Sequence, residues 1–175
     1  QLKNIVTFQS YSKTYAMTGW RIGYLAGDMN LVKAISKLQG QSTSCPNSIA
    51  QYAAIEALSG NQNCIHEMKQ IFHQRRDLIL NELKKIPETL CETPNGAFYV
   101  FPNFENYLNK RTLSGQLIKT SSDLSLYILD QTGVVTVDGD SFGAPGYIRL
   151  SYATSNETIS KAIFLIKDAL KKLDF

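Results

Sequence analysis

Lys13 and Arg21 are the residues of this 175-residue sequence whose types and spacing best suit chemistry. They lie in the segment SYSKTYAMTGWRIGY, residues 10–24, which contains no acidic residue. A lysine close to a second fixed cation in apolar surroundings is disfavoured in its ammonium form, and a neutral lysine amine attacks aldehydes. Arginine stays charged and presents a planar set of donors that matches a phosphate. The segment therefore predicts a site for an aldehyde that also carries a phosphate.

Hydroxyl-bearing and small residues around the two cations fit the same ligand. Ser10 and Ser12 add hydroxyl donors, and Gly19 and Gly23 allow backbone or ligand to approach closely. An aldehyde-reactive lysine beside a phosphate-binding arginine and serine is typical of a pyridoxal 5'-phosphate site. The plainer alternative is a surface lysine after a strand and an arginine in an ordinary salt bridge.

Arg149 is a third cation with a candidate binding role. It lies in the segment 147–152, whose alternation predicts a strand with Ile148, Leu150 and Tyr152 on one face and Arg149 on the other. A buried arginine needs an anionic partner, and the segment contains no acid. A carboxylate ligand held by two hydrogen bonds would supply one. The alternative is a solvent-facing arginine on an edge strand.

Strand and helix patterns indicate the elements that carry these cations. Strands are predicted at residues 4–9, 20–26, 97–101, 134–137 and 147–152. Helices are predicted at residues 29–39, 48–58, 62–86, 121–131 and 155–173. The expected N-caps are Asp28, Ser121 or Ser122, and Thr154 in a capping box with Glu157. The expected helix ends are Gly40, Gly60, Pro87 and Gly133.

Two of these elements carry further expectations. The first strand is apolar enough to be buried, and in the second strand Trp20, Ile22 and Tyr24 are expected to face the core. The long helix at 62–86 has one apolar stripe, formed by Ile65, Met68, Phe72, Ile79, Leu83 and Ile86. His66 and His73 on this helix lack the i, i+4 spacing of a helical metal pair, so no metal site is predicted.

The order of the elements predicts an α/β protein with an incomplete first part. Residues 87–175 have strands and a closing helix of their own, which suits a small α/β domain, and residues 61–86 form a linking helix. Residues 1–60 are predicted to be the end of a larger domain. Because Gln1 leads directly into the apolar first strand, we expect the chain to be part of a longer protein.

Composition excludes several classes of function. The net charge is +3, from 18 basic and 15 acidic residues without a run of like charge, and this favours neither nucleic acid nor an anionic membrane as partner. Cys45, Cys64 and Cys91 form no CxxC pair, which predicts reduced thiols. No segment approaches the roughly 20 apolar residues of a membrane span, and no signal peptide is apparent. A cytoplasmic location is predicted.

The motif S-x-S-K followed by M-T-G-W-R-I-G resembles the lysine segment of class I, fold-type I pyridoxal-phosphate aminotransferases. It is most similar to the bacterial aspartate aminotransferase branch. The resemblance continues along the chain at residues 41–43, 49–51, 75–77, 96–99 and 149–153. It implies that residues 1–60 are the end of the large cofactor-binding α/β domain and that residues 87–175 are the small α/β domain.

The resemblance also implies roles for individual residues and for partners. Lys13 would be the catalytic residue and form the covalent bond to pyridoxal 5'-phosphate, while Ser10 and Arg21 would bind the cofactor phosphate. Arg149 would bind the substrate α-carboxylate. The family further implies a homodimer, in which residues 41–44 reach towards the partner's cofactor.

The implied reaction is transamination between an amino acid, aspartate or glutamate, and a 2-oxo acid. In one branch of the family an arginine from the partner subunit, just before the polar loop that matches residues 41–46, binds the distal carboxylate, but residues 36–43 contain no arginine. Either another part of the protein supplies that cation, or the enzyme is an aromatic or prephenate aminotransferase. The lysine segment is equally compatible with a pyridoxal-phosphate lyase or synthase of the same fold.

Two features depart from the family pattern. Asp138 stands where the family commonly has a proline, next to a loop that borders the substrate. The family's partner for the pyridine nitrogen, its ring-stacking aromatic residue, and its asparagine and tyrosine at the cofactor oxygen all precede the segment that matches Gln1. We therefore expect the 175 residues alone to be inactive.

Two alternatives lie outside this family. Residues 10–13 also fit the S-x-x-K motif of penicillin-binding acyl enzymes, and residues 107–109 and 119–121 mimic their later motifs. In those enzymes the lysine lies on a long helix, which Gly19 disfavours here. The non-enzymatic alternative is a ligand-sensing or assembly module, although the presence of Lys13, Arg21 and Arg149 together argues against a degenerate site.

Overall fold

The computed structural model describes residues 5–173 of the chain. These residues form two units, one up to residue 68 and the other from residue 69 onward. Helix α4 (Asn63–Leu83) contains the boundary. In the described residues, no helix is both long enough and apolar enough to cross a membrane.

The first unit is built on a small antiparallel sheet. Strands β1 (Thr7–Ser10) and β2 (Gly23–Ala26) pair so that Thr7 lies opposite Ala26 and Ser10 opposite Gly23. The short helix α1 (Tyr11–Thr14) and a 3₁₀ turn at Thr18–Trp20 connect them. Helices α2 (Met29–Ser42) and α3 (Ser48–Ser59) follow.

Local capping starts and ends these two helices. The Asp28 carboxylate accepts hydrogen bonds from the backbone N–H groups of Asn30 and Leu31, which confirms it as the N-cap of α2. Gly60 is the C-cap of α3, as predicted. The predicted end of α2 at Gly40 is wrong, because the helix continues to Ser42 and Thr43 closes it by donating its N–H to the Gln39 carbonyl.

Two expectations about the first unit's strands are wrong. Residues 20–22 do not belong to β2, because Trp20 ends the 3₁₀ turn and Arg21 has a left-handed backbone, with φ 52° and ψ 49°. Trp20 and Tyr24 are exposed, and only Ile22 is partly buried. The first strand is not buried either: Phe8 is 72% exposed, since no described element covers β1. Residue 4, where this strand was predicted to begin, lies outside the described residues.

The second unit surrounds a three-stranded antiparallel sheet. Strands β3 (Tyr99–Val100), β4 (Val137–Asp138) and β5 (Ile148–Ser151) are arranged in the order β3-β5-β4. Helices α5 (Ser121–Thr132) and α6 (Asn156–Leu170) pack on each other, and the Tyr127 hydroxyl donates to the Ala169 carbonyl at 2.9 Å. The core combines side chains from α4, α5, α6 and the sheet, among them Ile79, Leu83, Val100, Leu124, Ile128, Ile148, Ile163 and Ile166. A mixed α/β architecture is thus confirmed.

The periodic patterns of this unit were predicted better than its strand lengths. The stripe of the long helix is confirmed in its C-terminal half, where Ile79, Leu83 and the following Ile86 are buried. Ile65, Met68 and Phe72 are only half-buried. The stripe of the last helix is confirmed as well, with Ile159, Ile163, Ile166, Leu170 and Leu173 all buried.

Several helix and strand ends in the second unit differ from their predicted positions. Helix α4 ends at Leu83 rather than at Pro87. The strand predicted at 97–101 contains only Tyr99 and Val100, because Ala97 has a positive φ of 62°. The strand predicted at 134–137 starts at Val137, since the Val134 N–H donates to the Thr132 hydroxyl oxygen instead of to a strand.

Two N-caps lie one residue from their predicted positions. Thr120 caps α5 in a reciprocal capping box with Asp123, and Ser155, not Thr154, caps α6. Gly133 ends α5 in the left-handed conformation, as predicted.

Candidate functional site

The end of β1 and the start of α1 position Ser10 and Lys13. Ser10 is the last residue of β1 and the N-cap of α1: its Oγ accepts a hydrogen bond from the Ser12 N–H at 3.1 Å and donates to Ser12 Oγ at 2.8 Å. Tyr11 is buried, and its ring lies 5.8 Å from that of Tyr24. The buried Tyr11 therefore holds α1 on the unit while both serine hydroxyls stay at the surface.

Lys13 lies on the exposed side of α1. The apolar enclosure expected around its amine is therefore not provided by the described residues, and this part of the prediction is wrong for the chain by itself. The position is nevertheless defined, because α1 is one turn long and is anchored by the Ser10 cap at one end and by Tyr11 within it. Lys13 therefore lies on a capped helical turn that directly follows β1.

Arg21 is placed by the strained turn that precedes β2. Its left-handed backbone is uncommon for a residue with a side chain. Its Nη1 donates to the Thr18 carbonyl at 3.0 Å, and within residues 5–173 no carboxylate lies within ion-pair distance of it. The ordinary salt bridge considered as an alternative is thus not observed, and the other guanidinium N–H groups can serve an anion.

The strand register brings the Ser10 and Arg21 segments to the same end of the sheet. Ser10 lies opposite Gly23, two residues after Arg21. A Cβ on Gly23 would lie 2.5 Å from the Gln9 carbonyl oxygen, so glycine is needed there for the close approach of the two strands. At Gly19 a Cβ would meet no atom within 4 Å, so there the described residues impose no need for glycine.

An open cavity of about 540 Å³ lies beside Arg21. Its lining residues are Ala16, Gly19, Trp20, Arg21, Asn47 and Ala50. None of them is acidic, and Arg21 gives the cavity a positive charge. Ser10 and Lys13 do not line this cavity; they lie on the adjoining segment, since Ser10 pairs with Gly23 two residues after Arg21. The serine hydroxyl, the lysine amine and the guanidinium are the donor types that a phosphate-bearing aldehyde needs, so the residues present fit pyridoxal phosphate.

Arg149 lies on the central strand of the second unit's sheet. Ile148, Leu150 and Tyr152 are buried on the other face, which confirms the predicted alternation, while the edge-strand alternative is wrong. The Arg149 Cζ is 4.5 Å from the ring centroid of Tyr99 and 4.7 Å from that of Phe142. No acidic side chain of the described residues pairs with it. Contacts with two aromatic rings use none of the N–H donors of the guanidinium, so these donors stay available for a carboxylate.

Sequence reasoning missed the aromatic neighbours of Arg149 and the turn that carries one of them. Asp138 Oδ1 accepts from the Ser141 N–H at 2.8 Å and Oδ2 accepts from the Ser141 hydroxyl at 3.1 Å, just before Phe142. These hydrogen bonds, first of all the one from the Ser141 backbone, lower the pKa of Asp138. Asp138 itself was the available signal, since Asp side chains commonly accept hydrogen bonds from the backbone of the turn that follows them.

The remaining candidates form no site among the described residues. His66 and His73 are exposed, and within residues 5–173 no group of three His, Cys, Asp or Glu side chains is arranged to hold a metal ion. Cys45, Cys64 and Cys91 are free thiols, and burial raises the pKa of Cys91.

Known proteins are similar to this chain in both sequence and fold. The probable aspartate/prephenate aminotransferase of Rhizobium leguminosarum bv. phaseoli is 46% identical over 157 residues, which cover 90% of this chain and 39% of the relative. The aspartate aminotransferase of Rhizobium meliloti strain 1021 is 44% identical over 173 residues, or 98% of this chain and 42% of the relative. The chain thus spans about two-fifths of the length of these curated relatives.

Solved structures give the same result. The crystal structure of the Rhizobium meliloti aspartate aminotransferase matches 97% of this chain and 42% of its own, at 43% identity and a TM-score of 0.93. The aromatic aminotransferase from Pyrococcus horikoshii OT3 matches 95% of this chain and 43% of its own, at 33% identity and a TM-score of 0.84.

The family assignment rests on both sequence and fold. The sequence profile described as aminotransferase class I and II matches residues 1–166, which include Ser10, Lys13, Arg21 and Arg149. With nearly the whole chain matched in sequence and fold, the chain belongs to the class I and II aminotransferase family and represents its C-terminal part.

Proposed function

We propose that the protein containing this chain is a pyridoxal-phosphate-dependent aminotransferase that acts on aspartate or glutamate and a 2-oxo acid. The observation that carries the proposal is the acid-free set of donors at the shared end of β1 and β2, with Lys13 one turn after the Ser10 cap. The names of the relatives support the same activity. When bound, pyridoxal phosphate supplies an aldehyde that takes up amino groups and a ring that draws electrons from the substrate Cα.

Each cation then has a separate task. The Ser10 hydroxyl and the free N–H groups of Arg21 bind the phosphate, which fixes the cofactor relative to α1. Lys13 Nζ takes the proton from the substrate Cα as general base and later returns a proton as general acid. Arg149 holds the α-carboxylate through two parallel hydrogen bonds, so that the Cα–H bond keeps one orientation.

The choice of substrate has two candidates within this function. Aspartate and glutamate need a second cation for the distal carboxylate, and residues 36–43 contain no arginine. Prephenate or an aromatic amino acid is the second candidate, favoured by the Phe101, Phe142 and Tyr147 rings that lie together near Arg149. Steady-state kcat/KM values for aspartate, phenylalanine and prephenate distinguish them.

Further parts of the proposal concern the whole protein. We propose a homodimer in a cytoplasmic location, with amino acid and 2-oxo acid as the small-molecule partners. The 175 residues alone are expected to lack turnover, because none of them can be assigned to the pyridine nitrogen. Light scattering on the full-length protein tests the dimer, since an active monomer would contradict it.

Lys13→Ala in the full-length protein tests the function. We expect kcat for transamination to fall by roughly 10²–10⁴-fold or more, the range for loss of a general base. Lys33→Ala, on the exposed surface of α2, is the matched control and should leave kcat unchanged. Near-wild-type turnover by Lys13→Ala would refute the proposal. A wild-type protein that binds the cofactor but eliminates rather than transaminates would favour a lyase.

A further inference from the structure

The position of the Arg149 guanidinium depends in part on Phe142, a side chain that is not buried in the core. Tyr99 lies on a strand of the sheet, so its backbone is fixed by strand pairing. Phe142, whose ring also contacts the guanidinium, is 51% exposed and lies in the 3₁₀ turn Asp140–Phe142. Its position therefore depends on the backbone of this turn and on an edge-to-face contact with Phe101 at 6.1 Å.

Asp138 stabilises that turn through two direct hydrogen bonds. It is the last residue of β4, and its two carboxylate oxygens accept from the N–H and the hydroxyl of Ser141, the residue that precedes Phe142. Charge-assisted hydrogen bonds of this kind are stronger than neutral ones. The turn is further closed by the Phe142 N–H, which donates to the Gly139 carbonyl at 2.9 Å.

Asp138 does not act on Arg149 as an ion-pair partner. The register places Val137, not Asp138, opposite Arg149, and places Asp138 opposite Ile148. Side chains of directly opposed residues lie on the same face of a sheet, so Asp138 and Arg149 belong to opposite faces. The side-chain contacts that link the Asp138 carboxylate to Arg149 run through Ser141 and Phe142.

We propose that Asp138 is a positioning residue for Arg149: by binding both donors of Ser141 it holds Phe142 against the guanidinium and so prepares Arg149 for a substrate carboxylate. The carboxylate part rests on the proposed function, and the stacking part does not. Holding the long side chain in one plane before binding reduces the conformational entropy lost when the carboxylate binds.

The test uses the full-length protein with three variants and two readouts. Asp138→Ala removes both acceptors, Ser141→Ala removes only the hydroxyl donor, and Asp138→Asn keeps one oxygen for the Ser141 N–H. The first readout is the chemical shift of the Arg149 Nε–H proton, which ring currents from Phe142 displace and which needs neither ligand nor activity. The second is the inhibition constant of propionate, a non-reactive carboxylate, measured with KM and kcat.

We expect graded changes in both readouts. The Arg149 shift should move towards its random-coil value most in Asp138→Ala, less in Ser141→Ala and least in Asp138→Asn. The inhibition constant and KM should rise by roughly 3- to 10-fold in Asp138→Ala with little change in kcat, since two hydrogen bonds of ordinary net strength are lost and the binding affected is common to ground and transition states. Asp130→Ala, an exposed carboxylate of α5, is the control.

A double-mutant cycle separates positioning from general stability. Once Phe142→Ala has removed the ring, Asp138→Ala should raise the propionate inhibition constant no further, whereas independent effects would add. Additive effects, or an Asp138→Ala protein with the wild-type Arg149 shift, would overturn the proposal. If Asp138→Ala does not fold, Ser141→Ala decides by the same criteria. A wild-type protein without transaminase activity would refute the proposed function, and the Arg149 shift would still decide the role of Asp138.

Discussion

The two units of the chain contain similar helices but bury them very differently. In the first unit the buried apolar cluster consists only of Tyr11, Met17 and Ala54, within the described residues. Leu38 on α2 and Tyr52 on α3 are 73% and 75% exposed. In the second unit the elements share one core, with Leu124, Ile148 and Ile166 fully buried.

This difference shows that an apolar helix face does not by itself produce a core. Helix α2 has a well-formed cap and an amphipathic pattern, yet none of its residues is buried. Large exposed apolar surfaces mark sites where further protein binds. The second unit therefore has a core of its own, whereas the first unit, which carries Lys13, leaves most of its apolar helix faces exposed.

Hydrogen exchange should reveal the largest contrast between the units. In the 175-residue chain, amides in the centres of α5 and α6 should exchange only by global unfolding, whereas those of α2 should exchange by local opening. The expected protection differs by roughly a thousandfold or more, because local stability follows the density of buried apolar contacts. Mass spectrometry of peptides from the two regions measures it. Equal protection in α2 and α6 would contradict the comparison.

Truncating a buried side chain should give the next largest effect. Ile166→Ala in the second unit should lower the free energy of unfolding by about 2–5 kcal/mol, because Ile166 is fully buried and leaves a cavity. Leu38→Ala in α2 should change it by less than about 0.5 kcal/mol, as for other exposed positions. Urea unfolding monitored by far-UV circular dichroism gives both values. A comparable loss for Leu38→Ala would show that the first unit has a core of its own.

Two aspartates stabilise helix N-termini, Asp28 as the N-cap of α2 and Asp123 in the capping box of α5, and they allow a matched test with a defined pH dependence. Hydrogen bonds from the Lys119 and Thr120 N–H groups lower the pKa of Asp123. Asp123→Ala removes these capping hydrogen bonds and should cost about 1 kcal/mol of unfolding free energy near pH 7. Asp28→Ala removes the cap of α2 and should cost much less global stability, because α2 has no buried residue and opens locally.

The sign of the pH dependence follows from the direction of the pKa shift. Because folding lowers the pKa of Asp123, its contribution is fully present above its unfolded pKa of roughly 4 and is lost as pH falls through the lower folded value. Wild type and Asp123→Ala should thus converge in stability in acid. Urea midpoints measured from pH 7 down to pH 2.5 check this, and a constant difference over that range would exclude the charged cap as the cause.

The smallest contrast concerns single tyrosine hydroxyls. Tyr127→Phe removes the hydrogen bond that joins α5 to Ala169 on α6 and should cost about 0.5–1 kcal/mol. Tyr15→Phe removes a bond to Gln62 Oε1 at 3.2 Å in the first unit and should leave global unfolding unchanged. Equilibrium unfolding in guanidinium chloride, fitted with a common slope, resolves the difference. A larger effect for Tyr15→Phe would reverse the order of the two units.

Features that depend on neighbours in sequence were predicted well. Asp28, Gly60 and Gly133 were identified as helix caps, because capping involves groups within about four residues. The alternation at 147–152 predicted which face of β5 is buried, since neighbouring side chains of a strand must point to opposite sides. Lys13 and Arg21 could be predicted as site residues for a similar reason, because their motif is one contiguous segment. Their roles stay a prediction.

The amino-acid sequence alone thus determined the five longer helices α2 to α6, some of their caps, the buried face of β5 and the family. Only the tertiary structure decided that β3 has two residues, that β1 remains exposed and that Arg149 contacts the rings of Tyr99 and Phe142. These outcomes depend on which distant segments meet: Tyr99 and Arg149 are brought together by the pairing of β3 with β5. Such pairings depend on the packing of the whole unit, because long-range contacts form only where their gain exceeds the entropy of closing the intervening chain.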